Sequence, residues 1–406
     1  MRMVALSDLF QIGSSKRVLK SQWKTEGVPF YRGREITRLA ADGFVDNELF
    51  ISEEHYGELA GQYGAPKAGD IVITAIGTIG NSHVVRESDQ FYFKDASVLW
   101  MKRTADVSSE FINLWLKSPL FFDQLDKGNG ATVDTLTIQK LQSVRLHLPT
   151  LIEQHRIVAI LDEAFDGIAT AKANAEKNLQ NARALFESHL QAAFSQTGKG
   201  WDRVTLETLL ERGWIEGHLD GNHGGDYPRK EEFISEGVPY ISANCLDDDR
   251  IDISRAKYLS PERAAMLRKG IAKDRDVLFA HNATVGPVAI LRTDAAKVIL
   301  GTSLTYYRCN QKYILPEYLA HYMRSFGFRV QYEQVMKQST RNQVPITKQR
   351  EFYHLIPPID EQEKIIEVLD GLFVKGRELE SIYQQKLAAL DELKKSLLHQ
   401  AFSGNL

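Results

Sequence analysis

"IVAILDEAF" occupies residues 157–165 and "IIEVLDGLF" occupies residues 365–373, each just after a proline-bearing turn, "LHLPTLIEQHR" and "HLIPPIDEQEK". The offset, 365 − 157 = 208, is about half of the 406-residue chain. It persists without a gap to the last residues. Pro149 matches Pro357, Glu153 matches Glu361, Gln154 matches Gln362, Leu161-Asp162 matches Leu369-Asp370, Leu190 matches Leu398, and "AFS" at 193–195 matches "AFS" at 401–403. Both copies read as long helices. In the first, Ile157, Leu161, Ala164, Ile168, Ala171, Ala175, Ala182, Leu185 and Ala193 fall near a 4-3 spacing. In the second, Ile365, Leu369, Leu372, Leu379, Tyr383, Leu390, Leu393 and Leu397 do the same. That is a heptad seam. No proline interrupts either helix, and about 40 residues make a rod of roughly 60 Å. Proline before each helix and acidic residues in its first turn suit the positive end of the helix dipole. A helix lying on its own globular domain is the alternative, but alanine at seam positions favours close approach of another helix. The natural partner is the other copy.

The rest of the chain repeats more loosely. "EGVPFY" at 26–31 answers "EGVPYI" at 236–241, and "GDIVITAIGTIG" at 69–80 answers "RDVLFAHNATVG" at 275–286, with Thr78 and Gly80 on Thr284 and Gly286. "TIQKLQSVRLHLP" answers "ITKQREFYHLIPP". Short β-rich runs ended by glycine alternate with helical spacing, so the variable parts read as α+β. The expected organisation is a first globular domain at 1–147, a helix at 148–198, a second globular domain at 199–355 and a helix at 356–406. The fold class is α+β, with two globular domains separated by two long helices in an antiparallel coiled coil and an internal pseudo-two-fold repeat. "SQTGKGW" at 195–201 reads as a helix stop and linker.

Composition sets bounds. The chain is 43% hydrophobic and 25% charged, an ordinary balance for a globular protein with a core. Two cysteines, Cys245 and Cys309, make neither a disulfide framework nor a cysteine-rich metal site, and read as reduced thiols of a cytoplasmic protein. No apolar run reaches a membrane span, and "MRMVALSDLFQIG" lacks the apolar core of a signal peptide.

Enzyme signals are poor. "TGKG" at 197–200 lacks the upstream glycine and the following Ser/Thr of a phosphate-binding loop. "GTIG" at 77–80 is too short for a dinucleotide fingerprint, and no Asn/Asp-Pro-Pro-aromatic stretch of an amino-methyltransferase occurs. The eleven histidines do not cluster at metal spacing. His218 and His223 with Asp220 offer ligand atoms, but four glycines in "EGHLDGNHGGD" favour polar turn residues, and no metal site is expected.

Local charge says more than the net −3. "SSKRVLKSQWKTEGVPFYRGREITR" at 14–38 carries seven Lys/Arg against Glu26 and Glu35, and His321–Arg350 carries Arg324, Arg329, Lys337, Arg341, Lys348 and Arg350 against Glu333. Lys and Arg neutralise phosphates, and Arg, Asn and Gln read base edges. A solvated surface is the bland reading of one such run. A basic run in each repeated part points to nucleic acid.

The architecture resembles the specificity (S) subunit of type I restriction–modification systems, the HsdS family. The resemblance covers the whole chain. Its most specific parts are "LPTLIEQHRIVAILD" at 148–162, "IPPIDEQEKIIEVLD" at 356–370 and the "LLHQAFSG" ending at 397–404. "DGNHGGDYPRKEEFISEGVPYISANCL" at 220–246 resembles the opening of a target recognition domain, and "SSKR" with "GVPFYRGREI" resembles another variety of it.

The resemblance implies a non-catalytic subunit whose two recognition domains read a bipartite, asymmetric double-stranded DNA sequence. Two modification subunits would bring S-adenosylmethionine and methylate adenine. Restriction subunits would bring ATP- and Mg2+-dependent translocation and cleavage. None of these cofactors is expected on this chain. A coiled-coil scaffold without DNA specificity is the alternative, and a stand-alone methyltransferase or nuclease is disfavoured by the missing motifs. At the DNA we expect Ser15, Lys16, Arg17, Tyr31, Arg32 and Arg34 in the first domain. In the second we expect Asp220, Asn222, His223, Tyr227, Arg229, His281, Asn282, Arg341 and Asn342. Glu153, Gln154, Glu361 and Gln362 at the helix entrances are expected to dock the partners.

Overall fold

The computed structural model describes residues 2–405 apart from 126–134, 196–197, 199, 224–225, 248 and 339–340. Of the linker read at 195–201, residues 196, 197 and 199 lie outside the described residues. The chain forms two compact units, Met1–Glu176 with Gln385–Leu406, and Lys177–Gln384. Each unit holds one globular part and a portion of both long helices.

The two globular parts share a strand order that no local pattern in the sequence reveals. In the first unit an antiparallel sheet runs Phe10–Gly13, Val98–Arg103, Ile71–Thr74, Ser82–Val84. In the second the order is Ile215–Asp220, Leu304–Cys309, Val277–Asn282, Thr284–Ile290. A second sheet repeats too. Val28–Tyr31 pairs parallel with Tyr92–Phe93 and antiparallel with Phe50–Ile51. Val238–Ile241 pairs parallel with Val298–Leu300 and antiparallel with Lys257–Leu259. The central strands are apolar on both faces: Ile71, Val72 and Ile73, like Val277, Leu278 and Phe279, are fully buried. This fits strands covered on both sides.

The repeated "EGVP" has a steric cause. Gly27 (φ 119°) and Gly237 (φ 148°) lie in backbone regions that favour glycine. A Cβ at either would stand 2.3 Å from the Ile51 carbonyl oxygen or 2.4 Å from that of Leu259. The glycine lets a neighbouring strand approach at the start of the second sheet.

Each globular part closes on a two-stranded ribbon that feeds a long helix. Arg2–Ala5 pairs with Arg145–Leu148, and Asp202–Thr205 pairs with Tyr353–Ile356. The helices that follow, Leu151–Ser195 and Ile359–Ser403, have 45 residues each. In the first unit Ile157 and Leu161 of one helix share a core with Leu398, Ala401 and Phe402 of the other. In the second unit Leu369 shares a core with Leu190 and Phe194. Within each unit the helices run antiparallel. Lys172 pairs with Asp391 in the first, and Arg183 pairs with Glu380 while Phe186 meets Phe373 edge-to-face in the second.

Three expected seam residues lie elsewhere. Leu185, Leu379 and Leu393 are 54%, 40% and 46% exposed. Beyond Ala182 the inward face passes through Phe186, Leu190 and Phe194, because the larger side chains reach into the globular core as well as across to the other helix.

Candidate nucleic-acid interface

In the first unit, strand ends and one helix start converge. Ser15 Oγ donates to the Phe93 carbonyl (2.6 Å), and the Lys16 backbone N–H donates to Tyr92 Oη (3.0 Å). Tyr31 stacks on Phe91 with ring centroids 4.7 Å apart. Burial, with Asp89 and Glu35 nearby, raises its hydroxyl pKa. Just beyond it, the helix Gly33–Asp42 begins, with Arg32 at its cap. Arg32 and Arg34 line a cavity of about 470 Å³ with Arg38, Lys94, Ile76 and Thr78. Arg17 is exposed on the preceding loop.

Glu35 organises the arginines. It is 2% exposed. Its carboxylate accepts from Arg32 Nε (3.1 Å), Arg32 Nη2 (2.8 Å), the Arg32 backbone N–H (2.9 Å) and Arg34 Nε (2.9 Å). Burial pushes its pKa up. The hydrogen bonds from Arg32 and then Arg34 outweigh this and hold it at about 2.

The matching place in the second unit has the same bend and different side chains, with the short turn Ala243–Cys245 where the first has the helix Gly33–Asp42. Gly77 (φ 78°) and Ala283 (φ 65°) both take the left-handed conformation at the end of the central strand, an uncommon one for alanine. Beside them Ile76 bridges to Thr135, and Asn282 bridges to Gln343. Asn342 fixes the second bend: its Nδ2 donates to the Ala283 carbonyl (2.7 Å), and the Ala283 N–H donates to the Asn342 carbonyl (3.0 Å). Thus His281, Asn282, Arg341 and Asn342 come together.

Asp220 pairs with His223 (2.7 Å), and Asp220 acts electrostatically on His281, whose pKa burial lowers. Tyr227 and Arg229 stand with a different group: Tyr227 acts on Tyr240, and the Arg229 backbone N–H donates to Glu232 (2.6 Å), which pairs with Arg263.

Some expected residues have internal tasks. Asn222 is 2% exposed. Its Nδ2 donates to the Lys269 carbonyl (2.7 Å) and its Oδ1 accepts from the Lys269 N–H (3.3 Å), so it ties two distant segments together rather than facing outward. His281 is 5% exposed, with Nδ1 donating to the Val344 carbonyl (3.1 Å).

Gln154 and Gln362, expected to dock partners, are buried at 2% and 0%. Their amides bind the helix entrances to the globular parts. Glu153 is half-buried and pairs with Arg156 (2.7 Å), and Glu361 is half-buried. Sequence reasoning missed Ile76, Thr78 and Lys94. Aligning "EGVPFYRGRE" with "EGVPYISANC" places Ser242 and Asn244 on Arg32 and Arg34. Lys94 carried no such signal.

A family model, the type I restriction modification DNA specificity domain, matches residues 1–181 and 217–387. The chain belongs to this family. Within the type I specificity family, S.HindORF215P of Haemophilus influenzae is 32% identical over 163 residues, 40% of this chain and 40% of that protein. The type I restriction enzyme EcoBI specificity subunit of Escherichia coli is 23% identical over 293 residues, 68% of this chain and 62% of that subunit. The chain thus spans less than two thirds of the length of these curated relatives. A chain from a solved type I R-M system is matched over 100% of this chain and 98% of its own length, with a TM-score of 0.78 and 18% identity, which shows the fold. The expected α+β class with two long helices is therefore that of specificity subunits. Among the described residues, no helix is long and apolar enough to cross a membrane and no group of three or more His, Cys, Asp or Glu is arranged to hold a metal ion.

Proposed function

We propose that this chain is the DNA-reading subunit of a type I restriction–modification complex, each globular part reading one half of a bipartite asymmetric target. The observation that carries this reading is one bend used twice among different side chains. The left-handed bend at Gly77 recurs at Ala283, while Arg32, Arg34 and Lys94 line the cavity at the first bend and Asn282 and Asn342 stand at the second. A common frame with different donors and acceptors is what two readers of different sequences need.

In this reading the chain performs no catalysis. Two modification subunits dock on the repeated helices and bring S-adenosylmethionine, and restriction subunits bring ATP and Mg2+ chemistry. The repeat favours two equivalent docking surfaces for identical partners. The complex works in the cytoplasm, where its DNA is.

The test is a domain exchange. Replacing residues 1–147 with the matching part of another specificity subunit, then sequencing modified bases in cells, should change one half of the methylated motif and leave the other. A hybrid that changes both halves contradicts two independent readers. Native mass spectrometry of the complex should show one copy of this chain with two modification subunits.

A further inference from the structure

We propose that Glu35 is a positioning residue that aims Arg32 and Arg34 at the O6/N7 edge of guanine in the half-site read by the first unit. This inference rests on the DNA-reading function proposed above and deepens it. Its first support is which edge of each guanidinium is in use. Arg32 binds Glu35 through Nε and Nη2. Arg34 binds Glu35 through Nε and Glu48 through Nη2 (2.8 Å). Arg32 therefore spends its Nε–Nη2 edge on one carboxylate, while Arg34 gives Nε and Nη2 to two. A guanidinium has a second two-donor fork, Nη1–Nη2, on its other edge, and on Arg32 the contacts with Glu35 leave that fork for a ligand. Such a fork matches two acceptors side by side, as guanine O6 and N7 present in the major groove.

Two phosphate oxygens offer a similar pair, so the charges around the fork have to decide. Phosphate binding gains from net positive charge, and a lysine serves as a point charge. Here two carboxylates stand among the cations that line the cavity, Arg32, Arg34, Arg38 and Lys94. They weaken the pull on any phosphate. What they add is direction: two long side chains are held at one angle, with Glu35 buried beneath them and ionised throughout the physiological range. Direction matters for a base edge far more than for a phosphate.

The second unit supplies an internal comparison. Shifted by the 210 positions that bring Gly27 onto Gly237, Arg32, Glu35 and Arg34 fall on Ser242, Cys245 and Asn244. The buried carboxylate is missing where the arginines are missing, although Cys245 is as enclosed as Glu35. The second unit also lacks the α-helix whose first turn Glu35 closes, with the three-residue turn Ala243–Cys245 in its place, so the acid goes with the arginine pair and the helix that carries it.

The test uses the assembled complex with its modification subunits and duplexes carrying the methylated motif. Each guanine of the half-site read by the first unit is replaced in turn by 7-deazaguanine, which lacks the N7 acceptor. The wild-type complex should lose about ten- to hundredfold in affinity at one position at least, the scale of a bidentate base contact. Glu35→Gln still offers an oxygen to the Arg32 N–H, so the helix start is kept. It should reduce that penalty to less than about threefold, relax the motif at the same position, and leave affinity for unrelated DNA equal or higher. Arg32→Lys, which keeps the charge without the fork, should relax the same position.

A Glu35→Gln complex that keeps the wild-type penalty overturns the positioning role. A wild-type complex indifferent to every 7-deazaguanine in that half-site, or a half-site without guanine on either strand, overturns guanine reading while the proposed function stands. A wild-type complex without sequence preference overturns the proposed function and this inference with it.

Discussion

Gln154 and Gln362 share two matching hydrogen bonds in the two units. Gln154 Oε1 accepts from the Ser108 N–H (2.9 Å), and Gln362 Oε1 accepts from the Leu315 N–H (2.9 Å). Gln154 Nε2 donates to the Pro149 carbonyl, and Gln362 Nε2 to those of Pro357 and Tyr313. Ser108 and Leu315 each cap a helix of their globular part, so one amide ties a long helix to its domain. Gln154→Ala leaves the buried Ser108 N–H without its acceptor and should cost about 1–3 kcal/mol, read by urea denaturation of the full chain. Gln362→Ala should cost a similar amount. Loss of partner docking at unchanged stability would return these residues to the surface role that their sequence first suggested.

The corrected seam makes a sharp comparison between two leucines on one helix. Leu190 is 2% exposed within the core of the second unit, and Leu185 is 54% exposed. Leu190→Ala should destabilise by about 2–5 kcal/mol. Leu185→Ala should stay within about 0.5 kcal/mol. Equal losses would restore the heptad register drawn from the sequence.

Acid should weaken the second unit through its buried histidines, His218 and His354 most of all and His281 with them. Burial lowers the pKa of His218 and of His354 to about 4 each. The unfolded chain takes up these protons near pH 6.5 and the folded chain only near pH 4, so the unfolded state binds more protons between those values. Stability is therefore full above about pH 6.5 and falls as pH drops towards 4. At about 1.4 kcal/mol per pKa unit, each histidine accounts for on the order of 3 kcal/mol. The repeat names a replacement, since His354 falls on the buried Leu146 of the first unit. His354→Leu should remove a substantial part of this acid loss, measured as denaturation midpoints from pH 7.5 to 4. An unchanged pH profile would rule out His354 as a source.

Arg17, exposed in the loop after Ser15 and Lys16, should contact phosphate. Arg17→Ala should weaken binding to all sequences alike and lower the slope of log K against log salt by about one. A relaxed methylated motif with the salt slope unchanged would make it a base reader.

The helices were legible because their order is local: a 3.6-residue period and a 208-residue copy are both visible in one line of text. The sheets were not, because the pairing of Phe10–Gly13 with Val98–Arg103 crosses nearly ninety residues and strand alternation does not encode its neighbour. At the site, arginine announced itself through charge. Glu35 read as a mere counter-charge to the basic run, since nothing nearby in the sequence shows that it is buried. Asn222 misled for the opposite reason: a polar side chain among glycines suggests exposure, and here its amide binds the distant backbone of Lys269.

The make-up of the two units sets the order in which they can be completed on the ribosome. The second unit is one unbroken stretch, Lys177–Gln384. The first starts ahead of it, yet its core contains Leu398, Ala401 and Phe402. The globular part synthesised earlier therefore waits for residues made after the whole of the second unit, and the part made later can finish packing before it. A stop codon after Ser396 would spare the second unit's core and leave the amino-terminal domain open on the face that Phe402 covers against Phe111.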